Sequence, residues 1–175
     1  MGVGKTTVGK RTAKLLGRPF VDADAELERG SGRTVADWFA TAGESGFRRA
    51  ESDVLADMLG RSEPLIVAAG GGVIVQARNR DRLQRPDVFV VWLRADPDFL
   101  ATRVARKAHR PLIGEDTVGT LNRLATERSP WYADVADVVI EVGPVHASEE
   151  RPKAALAEQV ANAVRADDAA GAVGR

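Results

Sequence analysis

The chain has 175 residues, 44% of them hydrophobic, which suits one compact domain with its own core. Lysine plus arginine and aspartate plus glutamate each number 25, so the net charge is zero and no broad basic face for nucleic acid is expected. Cysteine is absent, which excludes disulfides, thiolate metal sites and cysteine nucleophiles.

The pattern of apolar residues and breakers predicts the elements in order. Residues 5–16 read as a helix stopped by Gly17, with Pro19 just beyond. Residues 19–21 form a short strand running into Asp22, Ala23 and Asp24. A helical stretch over 25–29 is broken by Gly30 and Gly32. Thr34 caps a helix to Thr41, Gly43 breaks it, and 44–59 is a longer helix with Phe47, Val54, Leu55 and Met58 facing a core.

Residues 65–69 are an apolar strand entering Gly70, Gly71 and Gly72. A polar helix or turn follows over 77–84, then a second apolar strand over 88–93. Asp96 and Pro97 cap a helix to about Arg106. A polar loop over 107–116 holds Arg110. Residues 117–127 are helical up to Pro130, 138–142 form a third strand, and 153–164 the last helix. Residues 167–175 are expected to be a disordered tail. Strands that are continuously apolar and alternate with helices predict a parallel sheet covered on both faces, an α/β fold within a single domain over 1–166. The longest clean apolar run, 88–93, is far below the roughly 20 residues of a membrane span, and no basic-then-apolar leader opens the chain. The composition fits a reducing cytosol.

Gly2, Val3, Gly4, Lys5, Thr6 and Thr7 match the end of the phosphate-loop pattern G-x-x-x-x-G-K-[ST]. Glycines let backbone N–H groups approach phosphate oxygens, and the following helix presents its positive end to the anion. Lys5 reaches the β- and γ-phosphates, and the Thr6 hydroxyl is placed to ligate Mg²⁺. Gly2 and Gly4 with Asp22 about 20 residues on also resemble a dinucleotide fingerprint, but Thr7 replaces its third glycine and Lys5 is foreign to it. The pattern also calls for an earlier glycine and a preceding strand, at the centre of the sheet in such folds. Neither is in this sequence, which leads to the expectation of a reading frame that continues upstream of Met1.

Asp22 and Asp24 sit at the carboxyl end of a strand, where open α/β sheets bind ligands. Two apart on an extended segment, they project to one side; one would hold Mg²⁺ through water while the other takes an acceptor hydroxyl. The competing reading is an N-cap pair, in which Asp24 caps the following helix. Three consecutive glycines at 70–72 cost backbone entropy and point to close approach of a substrate. Arg48, Arg110 and Arg128 each read alone as solvated surface charges; converged, they would select a carboxylate or phosphate. His109 and His146 lack metal-ligand spacing and read as surface residues. Trp38, Trp92 and Trp131 read as core or pocket wall.

Taken together these segments resemble the shikimate kinase family, from Gly2 to about Val164. The matching stretches are Gly4-Lys5-Thr6-Thr7, Phe20-Val21-Asp22-Ala23-Asp24, Phe47-Arg48-Arg49-Ala50-Glu51, Gly70-Gly71-Gly72-Val73, Arg110-Pro111-Leu112 and Arg128-Ser129-Pro130-Trp131-Tyr132. The resemblance implies a P-loop three-layer α/β/α fold with a short parallel sheet, its first central strand missing from this chain, and a mobile lid at about 107–116. It implies transfer of the γ-phosphoryl of ATP to the 3-hydroxyl of shikimate, with Mg²⁺, by a cytoplasmic monomer. Gly2, Val3, Gly4, Lys5, Thr6, Thr7, Arg103, Arg110 and Arg151 would contact ATP, and Thr6 and Asp22 the metal. Asp24, Arg48, Glu51, Gly70, Gly71, Gly72 and Arg128 would contact shikimate, with Lys5, Asp24 and Arg110 acting in catalysis and Glu51 orienting Arg48. Trp131 departs from the family pattern, in which leucine precedes the tyrosine, and the lid segment 107–109 is not distinctive. The rivals are a gluconate-kinase-like enzyme, a non-catalytic nucleotide-binding remnant, and a nicotinamide oxidoreductase, against which Lys5 and Thr6 speak.

Overall fold

A computed structural model describes residues 2–104 and 116–173. Helix α1 (Lys5–Leu16) starts at Gly4 and stops at Gly17, whose φ of 66° is the left-handed turn that glycine tolerates. Strand β1 (Phe20–Asp22) follows, then α2 (Ala23–Ser31). The Asp22 carboxylate accepts from the Asp24 and Ala25 amides, so Asp22, not Asp24, is the N-cap. The expectation of both aspartates on one extended segment is thereby corrected: capping turns the chain, and Asp24 lies in the first turn of α2.

Helix α3 (Val35–Leu59) opens with a reciprocal box between Thr34 and Asp37. Gly43 breaks its helical geometry with φ 65° and ψ −179°, at the expected break between two helical pieces. Then come β2 (Ile66–Ala68), a 3₁₀ turn (Val73–Val75), α4 (Ala77–Leu83), β3 (Val91–Arg94) and α5 (Pro97–Val104), the last capped by Asp96. Helix α6 (Thr117–Val135), β4 (Val138–Glu141), α7 (Val142–Ser148) and α8 (Pro152–Val173) complete the order.

β1 pairs in parallel with β2, Phe20 facing Ile66 and Asp22 facing Ala68. β3 pairs in parallel with β4, Val91 facing Val138 and Arg94 facing Glu141. Among the described residues these ladders are two separate two-stranded sheets. Helix α1 is held closely on β1, since a side chain at Gly9 would come within 2.7 Å of the Phe20 ring.

Two apolar clusters fill the space between layers. One joins Val3 and Val8 to Ile140, Val142, Leu156 and Val160. The other joins Leu55, Met58, Val73, Ile74, Leu83 and Val135. Leu55 and Leu156 are fully buried, and truncating either to alanine is expected to cost about 2–5 kcal/mol.

Two expectations are corrected here. Pro130 lies inside α6 rather than ending it. Proline gives up one helical hydrogen bond, yet Trp131, Tyr132 and Val135 beyond it pack on the second cluster and keep the helix going. The expected disordered tail is helical through Val173, because α8 lies along α1 and finds partners there. Arg18 pairs with Asp168 at 2.7 Å, and Arg165 donates to the Leu15 carbonyl at 3.0 Å, satisfying an open helix end.

Candidate active site

The loop before α1 runs through Gly2 and Gly4, with φ of 76° and 101°, values that side chains resist. Val3 between them is buried in the first apolar cluster and anchors the loop. Among the described residues no side chain caps α1, and no acid of the helix occupies its first turn, so α1 sets no carboxylate of its own at its positive end. The Thr6 hydroxyl donates to Asp22 Oδ2 at 2.7 Å. The Arg103 Nε donates to the Gly2 carbonyl at 3.0 Å, which brings α5 onto the loop.

The second half of the site is built around the glycine turn. Arg48, 5% exposed on α3, donates to Glu51 Oε2 at 2.7 Å and to Glu44 Oε1 at 3.2 Å. Its guanidinium lies against Gly72 so closely that a side chain there would overlap it. A side chain at Gly70 would meet Glu51 Oε1 at 2.6 Å and Asp24 Oδ1 at 3.3 Å. From the other side, α6 supplies Arg128, which donates to the Gly71 carbonyl at 3.4 Å, and the Tyr132 hydroxyl donates to the same carbonyl. Tyr132 stacks on Trp92 with ring centres 5.1 Å apart. These residues are glycines because carboxylates, guanidinium and phenol occupy the space that side chains would need.

Burial raises the Glu51 carboxyl above the ordinary range, against the pull of Arg48, and the nearby Asp24 charge adds to the rise. Burial also raises the Tyr132 phenol. One continuous cavity is lined by Lys5, Thr6, Asp22, Asp24, Arg48 and Arg128. The arginine convergence that spacing alone left open is therefore present for Arg48 and Arg128, which flank one tripeptide. Arg110 lies outside the described residues, as does the expected lid apart from Asp116. Arg151 is exposed just before α8; its carbonyl accepts from the Ala154 and Ala155 amides.

A family model described as Shikimate kinase matches residues 1–165. The chain belongs to the shikimate kinase family. A shikimate kinase of Symbiobacterium thermophilum is 46% identical over 143 residues, 80% of this chain and 81% of that one. One of Caulobacter vibrioides is 46% identical over 144 residues, 82% of this chain and 70% of the relative. Among solved structures, a shikimate kinase from Acinetobacter baumannii in complex with shikimate superposes with a TM-score of 0.85 at 37% identity, covering 95% of this chain and 89% of that one. Membership makes the chain a kinase, a family defined by ATP-dependent phosphoryl transfer to a small molecule, on a P-loop α/β fold. Among the described residues no helix is long and apolar enough to cross a membrane.

Three residues around this site are not signalled by the sequence pattern. His146, expected at the surface, is half-buried on α7, its Nε2 3.3 Å from Arg103 Nη1. Ser52 and Asn79 are fully buried polar residues behind the glycine turn. The one available signal was a polar residue at a core-facing position of α3, Ser52, one place after Glu51.

Proposed function

We propose that this chain transfers the γ-phosphoryl group of ATP to the 3-hydroxyl of shikimate, releasing ADP and 3-phosphoshikimate in the route to aromatic amino acids. The observation that carries this reading is that one cavity is lined both by Lys5, Thr6 and Asp22 and by Arg48 and Arg128, the last two set on the glycine turn. A phosphate loop and a pair of guanidinium groups lining one cavity suit a nucleotide and a small carboxylate bound together.

In this reading the loop amides and Lys5 position the terminal phosphates. Arg48 and Arg128 hold the acceptor carboxylate, with Glu51 fixing Arg48 by the 2.7 Å hydrogen bond. Gly70, Gly71 and Gly72 let the acceptor ring approach the backbone. Asp24 receives the proton of the attacking hydroxyl as the new O–P bond forms and the bond to the β-phosphate oxygen breaks. Arg103 and Arg151 are assigned to the adenine end, and Arg110 to the transferring phosphoryl from a closing lid.

Thr6 and Asp22 fit a magnesium ion: a hydroxyl and a carboxylate oxygen already meet at 2.7 Å beside the phosphate loop. Mg²⁺ takes hard oxygens and keeps waters and substrate phosphates, so it needs no cage of protein carboxylates. When bound, it neutralises charge on the β- and γ-phosphate oxygens. The cytosol and a monomeric state complete the proposal.

A coupled ADP-release assay tests it, with shikimate and gluconate offered separately. The expected result is ADP release that requires shikimate and is not supported by gluconate. Release with gluconate alone, or a rate indifferent to either acceptor, would overturn the assignment.

A further inference from the structure

Behind the glycine turn, away from the cavity, sits a buried polar bridge. Ser52 on α3 and Asn79 on α4 are each 0% exposed. Ser52 Oγ donates to Asn79 Oδ1 at 2.6 Å, and Asn79 Nδ2 donates to the Val73 carbonyl at 2.8 Å. Arg78 donates to Ser52 Oγ at 3.1 Å and Arg82 to Asn79 Oδ1 at 3.1 Å, so both polar side chains are satisfied. Val73 directly follows Gly72, the residue the Arg48 guanidinium presses against, and its amide closes the turn on the Gly70 carbonyl at 3.2 Å.

Burying an amide and a hydroxyl is costly unless every bond is made, and an apolar pair could fill the same space without that demand. What the polar pair adds is direction. A hydrogen bond fixes where the Val73 carbonyl sits relative to α3, whereas apolar packing tolerates sliding. The same stretch of α3 carries Arg48 and Glu51. The bridge therefore ties the exit of the glycine turn to the helix that carries the guanidinium facing it.

We infer that Ser52 and Asn79 are positioning residues for acceptor binding, setting the spacing between the Arg48 guanidinium and the turn formed by Gly70, Gly71 and Gly72. The inference rests on the proposed function, in which Arg48 holds the acceptor carboxylate. Neither residue lines the cavity, so their effect passes through the turn.

The experiment compares KM for shikimate with KM for ATP in Asn79→Leu, Ser52→Ala and the double variant, with thermal unfolding of each. Misplacement of a binding group by a fraction of an ångström to one ångström is expected to raise KM for shikimate about tenfold or more. KM for ATP should stay within about twofold, since the phosphate loop is held by other contacts. The two substitutions should be non-additive in KM for shikimate, because either one breaks the same bridge. If Asn79→Leu does not fold, Ser52→Ala decides, as alanine is at home in a helix interior. Folded variants with unchanged KM for shikimate, or with both KM values rising in proportion, overturn the inference. A wild-type enzyme without shikimate-dependent turnover would instead overturn the proposed function itself.

Discussion

Thr6 and Asp22, sixteen residues apart, are joined by a 2.7 Å hydrogen bond, and the other oxygen of the same carboxylate caps α2. One side chain thus links the phosphate loop, the end of β1 and the helix bearing Asp24. Asp22→Asn keeps the capping capacity, because asparagine caps as well as aspartate, but removes the charge. Turnover is expected to fall about a hundredfold and the Mg²⁺ requirement to rise, with a Tm close to wild type. Asp22→Ala should lose the cap too, at a further cost of about 1 kcal/mol in stability. Titration of activity with Mg²⁺ beside thermal unfolding separates the two effects.

Lys5 opens α1 directly after Gly4. Lys5→Ala removes the cation proposed to meet the terminal phosphates, and turnover should drop at least a hundredfold. Because Lys5 is partly exposed, the fold should survive. Near-normal turnover in this variant would remove the phosphate-loop assignment.

Arg48 is buried with Glu51, so its loss acts twice. Arg48→Ala should weaken shikimate far more than ATP, and should also cost about 3–5 kcal/mol by leaving Glu51 buried without its partner. Arg48→Lys is expected to restore little of the shikimate affinity, because a single ammonium cannot replace a planar fork. Equal effects on both substrates would exclude a carboxylate clamp.

Gly72→Ala places a methyl group where the Arg48 guanidinium now lies. The expected result is displacement of Arg48, a rise in KM for shikimate of about tenfold or more, and little change in KM for ATP. Gly71→Ala should be milder, since among the described residues its side chain would meet the Tyr132 hydroxyl alone, at 3.1 Å.

Two groups give opposite pH signatures. The folded-state pKa of Glu51 is raised from 4.5, so its contribution to stability is full below that value and is lost as pH rises through the folded value. Glu51→Gln should remove this loss. Burial and the charges of Arg103 and Lys153 lower the His146 pKa from 6.5. Its contribution is full above 6.5 and is lost as pH falls through the folded value. His146→Gln should flatten that acidic limb in a series of Tm measurements against pH.

The elements were legible where local chemistry decides them. Gly17 ends α1, Thr34 opens α3, Gly43 breaks it and Asp96 opens α5, each through a cap or a left-handed turn read from a few adjacent residues. Where distant contacts intervene, local rules do not suffice. At Pro130 the packing of Trp131 and Tyr132 keeps the helix going, and α8 is held along α1, with Arg18 pairing Asp168 near its end.

The residue types of the site, a glycine-lysine-threonine loop, two aspartates, three glycines and scattered arginines, were written in the chain because phosphate and carboxylate recognition demand those groups. Folding settled which of them meet. Parallel pairing of β1 with β2 sets Asp22 level with Ala68 and so carries Asp24 to the glycine turn. The packing of α3, α4 and α6 around that turn brings Arg48, Asn79 and Arg128 to it from separate helices. Such convergence depends on helix crossings between segments far apart in the chain, a long-range property that no local window of residues encodes.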